Sequence, residues 1–535
     1  MFPLTGGRLK DYVRSISMKI TEYKTYKEAE ELFSWDQVWD LFDGDKDYFN
    51  IAHECIDRHV GKGTAARIKF ADGHSEQYTF DEISHLSSQF AHALEEENIE
   101  FGDRVAIMLD PSLEFYVSLF GTVKRGAILV PCFTLFGPEA LQQRIESSGS
   151  KILITTEDKK SLLGDVPIQR VITVGPELEG WIRSQPTDYK RTKETAGRDV
   201  AVLQYSSGTT TKYPTPIDHY HRSVALLAPS AVFAMGIKPG DHFFCPSSPA
   251  WGNGLWYGTF CPLILGVGVG AISGKFNEEV LLQAIEEFEI NNLHAAPSVS
   301  RRLIKSGIMD NYDLKINKLS FSGEPMDPDT FNYLKNRFGV SPCSLYGTTE
   351  VGCIIVDYGG FPDWEVKPGS MGKPLLGLDI RVVDQKNQSV PSGQIGEIVM
   401  NRRGRLFPAK DSATVDEDGY YWHRGRSDDV IISSGWTISP TEVEKTLLDH
   451  EEIEEAAVIG VPDKDRGHLV KAFLKVRRER PNLEQEIKEY VKERLSKHEY
   501  PRIIEFVDEF PKTPKGNIKK RELLERSIRK AERES

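Results

Sequence analysis

The sequence predicts an α/β protein, with a large N-terminal domain of layered subdomains and mainly parallel sheets, followed by a small α+β C-terminal domain. In residues 101–205, and again in residues 242–304, short β-branched runs alternate with helical patterns. Such alternation is typical of crossover connections within a parallel sheet. After about residue 430 the composition shifts towards Lys, Glu and Arg, which indicates a separate C-terminal domain.

The first alternating region begins with the apolar run of residues 104–110, a predicted strand, and a helical pattern follows it. Pro111 suits the first turn of this helix, and Gly126 suits its exit. Further strands are predicted in the first region at AILVP, KILITT, RVITVG and DVAVLQY. Strands are likewise predicted in the second region at FFCPS, LILGVGVGAIS and LHAAPSV. The run LGVGVGA contains GxGxxA, but a dinucleotide fingerprint must open a helix, and helix is predicted only from about Asn277.

In the C-terminal domain, Ser439 followed by Pro440 and Glu442 predicts a capped helix start. Two strands, AAVIGV and KAFLKV, a charged helix, NLEQEIKEYVKERL, and a basic tail complete the domain.

We predict one domain over residues 18–427 and a second over residues 428–535. Residues 1–17 carry three basic residues and one acidic residue, and they lack the apolar run of a secretory signal. We expect a dispensable extension there, with a transit peptide as the alternative.

Composition excludes several classes of protein. The chain of 535 residues has 67 Lys and Arg against 80 Asp and Glu, a net charge of −13, which argues against a nucleic-acid partner. Hydrophobic residues make up 39% and charged residues 27%, as in globular rather than disordered proteins. No apolar window is long enough to predict a membrane span. None of the six cysteines lies in a CxxC pair, so no zinc or redox motif is indicated. A soluble cytoplasmic enzyme is expected.

The motif QYSSGTTTKYPT follows a predicted strand and surrounds one glycine with small hydroxyl residues. Backbone N–H groups and hydroxyls in such a loop can cradle a phosphate, although the spacing is not that of a Walker loop. A polar strand-to-loop turn explains the same residues.

Three further segments are ambiguous by themselves. LYGTTEVG is a second predicted hydroxyl-rich turn. It offers an aromatic ring, Tyr346, that can stack on a base, and a carboxylate, Glu350, that can share Mg²⁺ with phosphates. FSGEP is a glycine-containing loop after a strand. DEDGYYWHRGRSDDVI begins with a turn and places Arg424 and Arg426 on one face of a strand, but a solvated surface hairpin would look the same.

The ordered set SSGTT, SGEP, YGTTE, GYYWHRGRSDDVI, ISPTEVE, AVIGVPDKDRG and PKTPKGNIKK resembles the AMP-forming acyl-CoA synthetases of the adenylate-forming superfamily. The resemblance extends from about residue 75 to about residue 525. It implies an ATP- and Mg²⁺-dependent ligase in which a carboxylic acid forms an acyl-AMP and CoA then displaces AMP. It also implies that the domain over residues 18–427 binds the nucleotide and the acyl group. The C-terminal domain, residues 428–535, would be mobile and would move about a hinge between the two half-reactions.

The resemblance also implies roles for residues that match the motifs of the superfamily. Ser206, Ser207, Gly208, Thr209 and Thr210 would hold the phosphates, and Asp411 and Arg426 would bind the ribose. Ser322, Gly323, Glu324 and Pro325 would line the adenine, with Tyr346 stacked on it. Gly347 and Thr348 would also belong to the nucleotide site. Thr349 would contact the α-phosphate, Glu350 would hold Mg²⁺, and Asp428 would be the hinge. Trp251 falls where the superfamily places an aromatic residue near the acid's carboxylate.

Three departures from the superfamily pattern remove positive charge. Thr215 stands in place of a lysine after the phosphate loop, Thr437 in place of an arginine, and Asn517 in place of the lysine that contacts the carboxylate and α-phosphate. Losing one such donor typically costs on the order of 10²–10³ in rate. Lys515 or Lys519, which flank Asn517, would then act in its place, and this is the interpretation that we favour. The alternative is a protein impaired in adenylation that binds nucleotide or acyl-adenylate.

The acid and the thiol are the least determined parts of the prediction. Trp251, Leu255, Trp256 and Tyr257 suggest a medium-chain, branched or aromatic acid, although a structural core explains them equally well. CoA is the expected acceptor, and an enzyme that loads a carrier protein is the alternative. The expected partners are therefore a small carboxylic acid and CoA.

Overall fold

The computed structural model of the chain describes residues 18–190, 194–205, 216–348, 351–427, 431–433, 436–463, 467–495, 500–512 and 518–534. The chain divides after Gly377 into two compact units. The predicted α/β class is confirmed.

The first unit contains a large sheet whose central strands are parallel. From one edge, its strands are Lys373–Pro374, Gly352–Val356, Cys343–Thr348, Lys318–Ser322, Asn292–His294, Phe243–Phe244, Val269–Ser273, Thr64–Phe70 and Ser75–Thr79. Pairing is parallel from Cys343–Thr348 to Thr64–Phe70 and antiparallel at both edges. The helices Pro297–Ser306 and Pro328–Phe338 are crossover connections between neighbouring parallel strands. The helix Glu278–Glu287 connects Val269–Ser273 to Asn292–His294, which lie on either side of Phe243–Phe244. The alternation predicted for residues 242–304 thus belongs to a parallel part of the sheet.

A second sheet contains the strands predicted before residue 206. Its order is Arg170–Thr173, Ile152–Thr155, Arg104–Ile107, Ile128–Pro131, Val200–Tyr205 and Pro216–Tyr220. All pairs are parallel except the last, in which Pro216–Tyr220 returns antiparallel to Val200–Tyr205. These two strands therefore flank the predicted phosphate loop.

The helix Leu113–Arg125 shows where local prediction was right and where it was wrong. Ser112 is its N-cap, because the Ser112 hydroxyl accepts a hydrogen bond of 3.2 Å from the backbone N–H of Phe115. Pro111 therefore precedes the helix instead of lying in its first turn, and that prediction was wrong. Gly126 ends the helix at φ 84°, a left-handed conformation that glycine adopts without steric cost, as predicted.

The apolar core of the large sheet holds the ends of its strands in place. Leu281, Ile285, Leu303, Phe331 and Leu334, from the crossover helices, pack with strand residues of the sheet. Among those strand residues are Phe244, Leu293, Leu319 and Phe321. Because such interiors are close-packed, the carboxyl ends of these strands are held in fixed relation to one another.

The second unit contains two sheets. A meander sheet is formed by Asp379–Val383, Gly396–Arg402, Arg405–Val415 and Tyr421–Arg426, all antiparallel, with the predicted turn at Asp418 and Gly419. The C-terminal sheet has the order Trp436–Ile438, Ile431–Ser433, Gly467–Val476, Ile453–Asp463, and Ile503–Phe506 pairs in parallel with Gly467–Val476. Its helices are Pro440–Leu448, Leu483–Arg494 and Lys520–Glu534. Ser439 caps the first of these as predicted, whereas the expected basic tail is largely the last helix.

The remaining α-helices of the first unit are Tyr26–Leu32, Asp36–Trp39, Ile51–Cys55, Phe80–Glu96, Pro138–Ser148, Glu157–Lys160, Pro176–Arg183, Ser223–Pro229 and Cys261–Leu263. Two π-helices lie at Ser230–Ala234 and Asn253–Phe260. In the GxGxxA region a strand, Val269–Ser273, precedes a helix capped by Asn277, as predicted. Over the described ranges, no helix has the length and apolar character needed to cross a bilayer.

Candidate active site

Several predicted site residues lie where parallel strands of the large sheet end. Ser322 is the last residue of Lys318–Ser322, and Tyr346, Gly347 and Thr348 are the last residues of Cys343–Thr348. These two strands are parallel neighbours, with Ser322 opposite Leu345. Open α/β sheets bind ligands at the carboxyl ends of their strands, so the two motifs lie where a ligand site is expected.

The loop after Ser322 is held by contacts with its neighbours. Gly323 has φ +93°, which allows the chain to turn sharply at the strand end. The Glu324 carboxylate accepts a hydrogen bond of 2.6 Å from the backbone N–H of Ser298 and lies 2.9 Å from the guanidinium of Arg301. This carboxylate therefore stabilises the first turn of the helix Pro297–Ser306. Because the Glu324 side chain is engaged in these contacts, we expect the backbone of Glu324, and not its carboxylate, to make any contact with a nucleotide.

The YGTTE motif lies partly on a strand. Tyr346 and Gly347 pair with Ile355 and Cys353 of the antiparallel neighbour, so the segment is not wholly the turn that the sequence predicted. A Cβ on Gly347 would approach the carbonyl oxygen of Gly352 to 2.2 Å, so this position requires glycine. The Oγ1 atom of Thr348 is buried without a hydrogen-bond partner among the described residues. Such an atom at a strand end is suited to a ligand oxygen.

A buried polar cluster lies next to Ser322. The side-chain oxygen of Asn253 accepts hydrogen bonds from Ser322 Oγ at 2.7 Å and from His294 Nε2 at 2.9 Å. The other ring nitrogen of His294, Nδ1, lies 2.8 Å from the hydroxyl of Ser320, its neighbour on the adjacent strand. His294 is fully buried, and burial lowers its pKa to about 4. The imidazole is therefore neutral at neutral pH, with its proton on Nε2.

The predicted phosphate-loop residues Ser206, Ser207, Gly208, Thr209 and Thr210 lie outside the described residues, but the strands that flank them do not. Before the loop, Gln204 accepts a hydrogen bond of 2.7 Å from the indole N–H of Trp256. After the loop, the His219 ring lies 4.8 Å from the Trp256 ring, and burial lowers the His219 pKa to about 4. Trp256 thus contacts the strands on both sides of the loop. His221 is a structural histidine, because its Nδ1 accepts from the backbone N–H of Ile51 at 3.2 Å.

On the predicted acid side, two aromatic residues are half-buried and two residues belong to the core. Trp251 lies 5.5 Å from Phe133, which follows a strand of the second sheet. Leu255 and Trp256 are 0% and 7% exposed, so they pack in the interior. Trp251 and Tyr257 retain partial exposure and remain the candidates for contact with an acid.

In the second unit, Asp411 and Arg426 are brought together by the meander sheet. They are opposite each other in register, and Arg426 Nη1 lies 3.7 Å from Asp411 Oδ1. His423 Nε2 lies 3.8 Å from the same carboxylate oxygen. Lys410, which precedes Asp411, has φ +63°. A charged carboxylate beside two nitrogen donors can accept hydrogen bonds from a ribose.

Other predicted site residues cannot be placed. Thr349, Glu350, Asp428, Lys515 and Asn517 lie outside the described residues, as do Thr215 and the side chain of Thr437. Lys519 is described, and its ammonium lies 3.7 Å from the carboxylate of Glu522. The roles of all these residues stay predictions.

Sequence reasoning missed Asn253, His294 and Gln204. Each is polar, and each makes its contacts with residues far away in the sequence. The available signals were weak: Asn253 lies between glycines in WGNGLW, and His294 ends the apolar run before AAP. Neither pattern is specific for a site.

Comparison with known proteins agrees with the motif order. Residues 57–406 match the AMP-binding enzyme family, and residues 442–517 match the AMP-binding enzyme C-terminal domain. The acetyl-coenzyme A synthetase of Bacillus subtilis (strain 168) is 32% identical, with 94% of each chain covered. The mitochondrial acyl-coenzyme A synthetase ACSM3 of Mus musculus is 30% identical, covering 89% of this chain and 90% of that protein.

Two solved structures are similar along almost the whole chain. The Brucella canis acyl-CoA synthetase is 29% identical with a TM-score of 0.74, covering 95% of this chain and 100% of that one. The anthranilate CoA ligase AuaEII, solved in complex with anthranoyl-AMP, is 28% identical with a TM-score of 0.75, covering 91% and 98%. The resemblance inferred from the motifs is therefore confirmed, and the chain belongs to the AMP-binding enzyme family, among the acyl-CoA synthetases of the adenylate-forming superfamily.

Proposed function

We propose that this protein is an AMP-forming acid–CoA ligase. In the first step a carboxylate oxygen forms a bond to the α-phosphorus of ATP, and the bond to the bridging oxygen breaks to release pyrophosphate. In the second step the CoA sulfur bonds to the acyl carbon, AMP leaves, and the thiol proton passes to a base. The observation that carries this proposal is the match to acyl-CoA synthetases over nine-tenths or more of both chains.

The residue roles are carried over from the motifs. Ser206 to Thr210 would bind the β- and γ-phosphates, and the segments at Ser322 and Tyr346 would bind adenine. Asp411 and Arg426 would bind the ribose, and Asp428 would act as the hinge. The strand-end positions of Ser322 and Tyr346 support the adenine roles, and the ion cluster of Asp411 and Arg426 supports the ribose role.

Mg²⁺ would be held by Glu350, next to the phosphates. The oxygen donors of this segment suit a hard cation, and the unpartnered Oγ1 of Thr348, among the described residues, fits a site that takes a further oxygen ligand or phosphate. When bound, the ion neutralises charge that develops on the phosphates.

The alternative function, that of a nucleotide- or acyl-adenylate-binding protein impaired in adenylation, follows from the three positions that lack a positively charged side chain. A protein without the charges at Thr215, Thr437 and Asn517 could bind nucleotide but adenylate slowly. The relatives favour the active ligase, because those reported above are synthetases and ligases of CoA esters. We infer that Lys515 or Lys519 supplies the missing charge, and Asn517→Lys tests this. A small change in adenylation rate is expected, whereas a gain of a hundredfold or more would favour the impaired protein.

The substrate is proposed only as a class. A medium-chain, branched or aromatic acid is supported by the half-buried rings of Trp251 and Tyr257 and by Phe133 beside Trp251. CoA is favoured over a carrier protein as the acceptor by the names of the relatives. A cytoplasmic location is proposed as well.

Mass spectrometry of the purified protein with ATP, Mg²⁺, CoA and a panel of carboxylic acids tests the proposal. Octanoate, 3-methylbutyrate, benzoate and acetate represent the acid classes. The expected result is acyl-CoA from one class, together with AMP and pyrophosphate. Acyl-AMP without acyl-CoA would favour a carrier protein as acceptor. Neither product, with nucleotide still bound, would favour the adenylation-impaired protein.

A further inference from the structure

The π-helix Asn253–Phe260 contacts residues in or next to three of the segments proposed to bind the nucleotide: the phosphate loop, the adenine loop after Ser322 and the YGTTE segment. It begins two residues after Trp251, the residue proposed to lie near the acid. A π-helix is rare and occurs frequently at functional sites. Three of its residues, Trp256, Asn253 and Tyr257, make these contacts.

The first contact is with the strands that flank the phosphate loop. The Trp256 indole donates to Gln204 at 2.7 Å and packs at 4.8 Å against the His219 ring. Gln204 and His219 belong to antiparallel partner strands, Val200–Tyr205 and Pro216–Tyr220. A displacement of Trp256 would therefore change the positions of both strands that lead into the loop.

The second contact is with the proposed adenine loop. Asn253 accepts from Ser322 at 2.7 Å, and its amide group donates to Ser247 at 3.1 Å. The neutral His294 donates to the same Asn253 oxygen at 2.9 Å. These three bonds use both ends of the Asn253 amide, so its orientation is fixed. Ser322 and the first residue of the π-helix thus form one partly buried hydrogen-bonded unit.

The third contact is with the strand Gly352–Val356, which pairs with the strand of the YGTTE segment. The hydroxyl group of Tyr257 lies against Cys353, and burial raises the pKa of this tyrosine. The backbone of Cys353 pairs with Gly347 of the YGTTE strand. Tyr257 is therefore one strand away from the residues proposed to bind adenine and the α-phosphate.

Close packing makes the π-helix move as one body. A Cβ on Gly254 would lie 2.2 Å from the carbonyl oxygen of Ser248, and a Cβ on Gly258 would lie 2.9 Å from Cys245. Leu255 and Phe260 are fully buried. Packed elements of this kind shift between discrete arrangements instead of deforming gradually. A shift produced at Trp251 would therefore reach all three contacts together.

We propose that the π-helix Asn253–Phe260 couples occupancy of the acid site to the affinity for ATP, with Asn253, Trp256 and Tyr257 as positioning residues. The inference rests on the proposed function, because it requires acid and nucleotide to bind at these segments. Coupling between two ligands is reciprocal and usually amounts to a 5- to 150-fold change in affinity. Because the π-helix is proposed to carry this coupling, bound nucleotide is expected to stabilise one arrangement of the π-helix, and this can be measured before the acid is known.

Hydrogen exchange of the full-length protein tests this restriction. The probe is α,β-methylene-ATP with Mg²⁺, which lacks the bond that the acid would cleave, and the readout is the peptide covering residues 251–262. The variants are Trp256→Phe, which removes the bond to Gln204, and Asn253→Leu, which removes the bond to Ser322. Each protein is brought to the same saturation according to its own dissociation constant, so weaker binding is not mistaken for weaker coupling.

In the wild-type protein, the nucleotide analogue is expected to slow exchange of this peptide by about 5-fold or more. Each variant is expected to reduce the effect to less than about 2-fold. Trp35→Phe is the matched control, because it also removes an indole hydrogen bond, of 3.1 Å to the carbonyl of Gly377, and it is expected to keep the full effect. If a residue has only a structural role, its substitution would lower the melting temperature. It would not change the ratio between the exchange rates of the peptide measured with and without the nucleotide analogue.

Two results would overturn the inference. If the wild-type protein binds the analogue but the peptide shows no protection, the π-helix does not sense the nucleotide, and the proposed function is left intact. If both variants keep the full protection, the named residues do not carry the coupling. Failure of the wild-type protein to bind the analogue would reject the proposed function itself, and the inference with it.

A second readout uses the acid that mass spectrometry identifies. The dissociation constant of α,β-methylene-ATP is measured with and without that acid. We expect the acid to tighten binding by about 5-fold or more in the wild-type protein and by less than about 2-fold in Asn253→Leu. Equal tightening in both proteins would contradict the inference.

Discussion

Gln204 and Trp256 form a buried hydrogen bond of 2.7 Å between a strand end and a π-helix. The two side chains are 5% and 7% exposed, so water cannot replace either partner. Gln204 is two residues before the loop proposed to bind phosphates, and Trp256 is five residues after Trp251. This pair therefore connects the segment proposed to bind the nucleotide with the segment proposed to bind the acid.

Gln204→Leu should destabilise the protein by about 1–3 kcal/mol. The substitution leaves the indole N–H of Trp256 buried without an acceptor, and the cost is the desolvation of that donor. The Gln204→Leu/Trp256→Phe double variant should be less destabilised than the sum of the two single variants, because neither polar group then remains. Calorimetric unfolding of the four proteins measures the difference. Additive effects would mean that the hydrogen bond contributes nothing.

Asp411→Ala should raise the KM for ATP by about tenfold to a hundredfold. A hydrogen bond from a ribose hydroxyl to a carboxylate contributes about 1.5–3 kcal/mol, which corresponds to this range. Steady-state kinetics with acid and CoA held constant give the KM. Asp384→Ala, an exposed turn residue whose carboxylate accepts only local backbone bonds in the described structure, is the control and should leave the KM unchanged. Equal effects of the two substitutions would argue against a ribose contact at Asp411.

Lys410→Gly should stabilise the protein by about 1 kcal/mol. Lys410 has φ +63°, a conformation that costs a residue with a side chain roughly 1–2 kcal/mol, whereas glycine adopts it freely. Part of the gain is offset, because glycine loses more conformational entropy on folding. The melting temperature is the measurement. Lys386→Gly, at an exposed turn outside the positive-φ positions of the described structure, should not stabilise the protein. A lower melting temperature for Lys410→Gly would show that the lysine side chain contributes more than the strain costs.

The free energy of unfolding of the first unit should fall as the pH rises from about 4 to about 7, because Asp357 titrates over this range. Burial raises the pKa of this carboxyl to about 7, although it accepts hydrogen bonds from the backbone N–H of Ser344 and the indole N–H of Trp364. The folded state therefore holds a proton that the unfolded state releases near pH 4. The contribution of the protonated Asp357 carboxyl to the free energy of unfolding is therefore fully present below pH 4. It decreases by about 1.4 kcal/mol per pH unit between pH 4 and about pH 7.

Asp357→Asn removes this titration and gives the corresponding test. Its melting temperature should change less between pH 5 and pH 8 than that of the wild-type protein, since the amide does not ionise. Parallel pH profiles for the two proteins would show that Asp357 does not titrate in this range. The absolute stability of the variant is a separate quantity, because the amide nitrogen faces one of the two N–H donors.

Much of the fold could be predicted from local signals. The strands before residue 206 and the helix start at Ser439 were placed correctly, because apolar runs and capping residues act within a few positions. Pro111 was placed wrongly because Ser112, its neighbour, caps the helix through its side chain. The YGTTE motif was interpreted as a turn, but pairing with Gly352–Val356 extends the strand through Thr348. Such pairing depends on a neighbouring strand that a local pattern does not reveal.

The candidate site was predicted only in part. Motif order pointed to Ser322 and Tyr346, and the structure places both on adjacent strands of one sheet. Asn253 and His294 were missed because their contacts, to Ser322 and to each other, span 69 and 41 residues of sequence. A histidine or asparagine in a short apolar segment does not by itself show whether it is buried or which partners satisfy it.

The sequence by itself determined the family, the alternation of strands and helices, and the segments that carry chemistry. These properties depend on residue type and spacing, which act over a few positions or are shared among relatives. Only the tertiary structure decided that Trp256 contacts both flanks of one loop and that Asn253 fixes Ser322. Those contacts form because strand order and core packing bring distant segments together, and each buried polar group must then find a partner within reach.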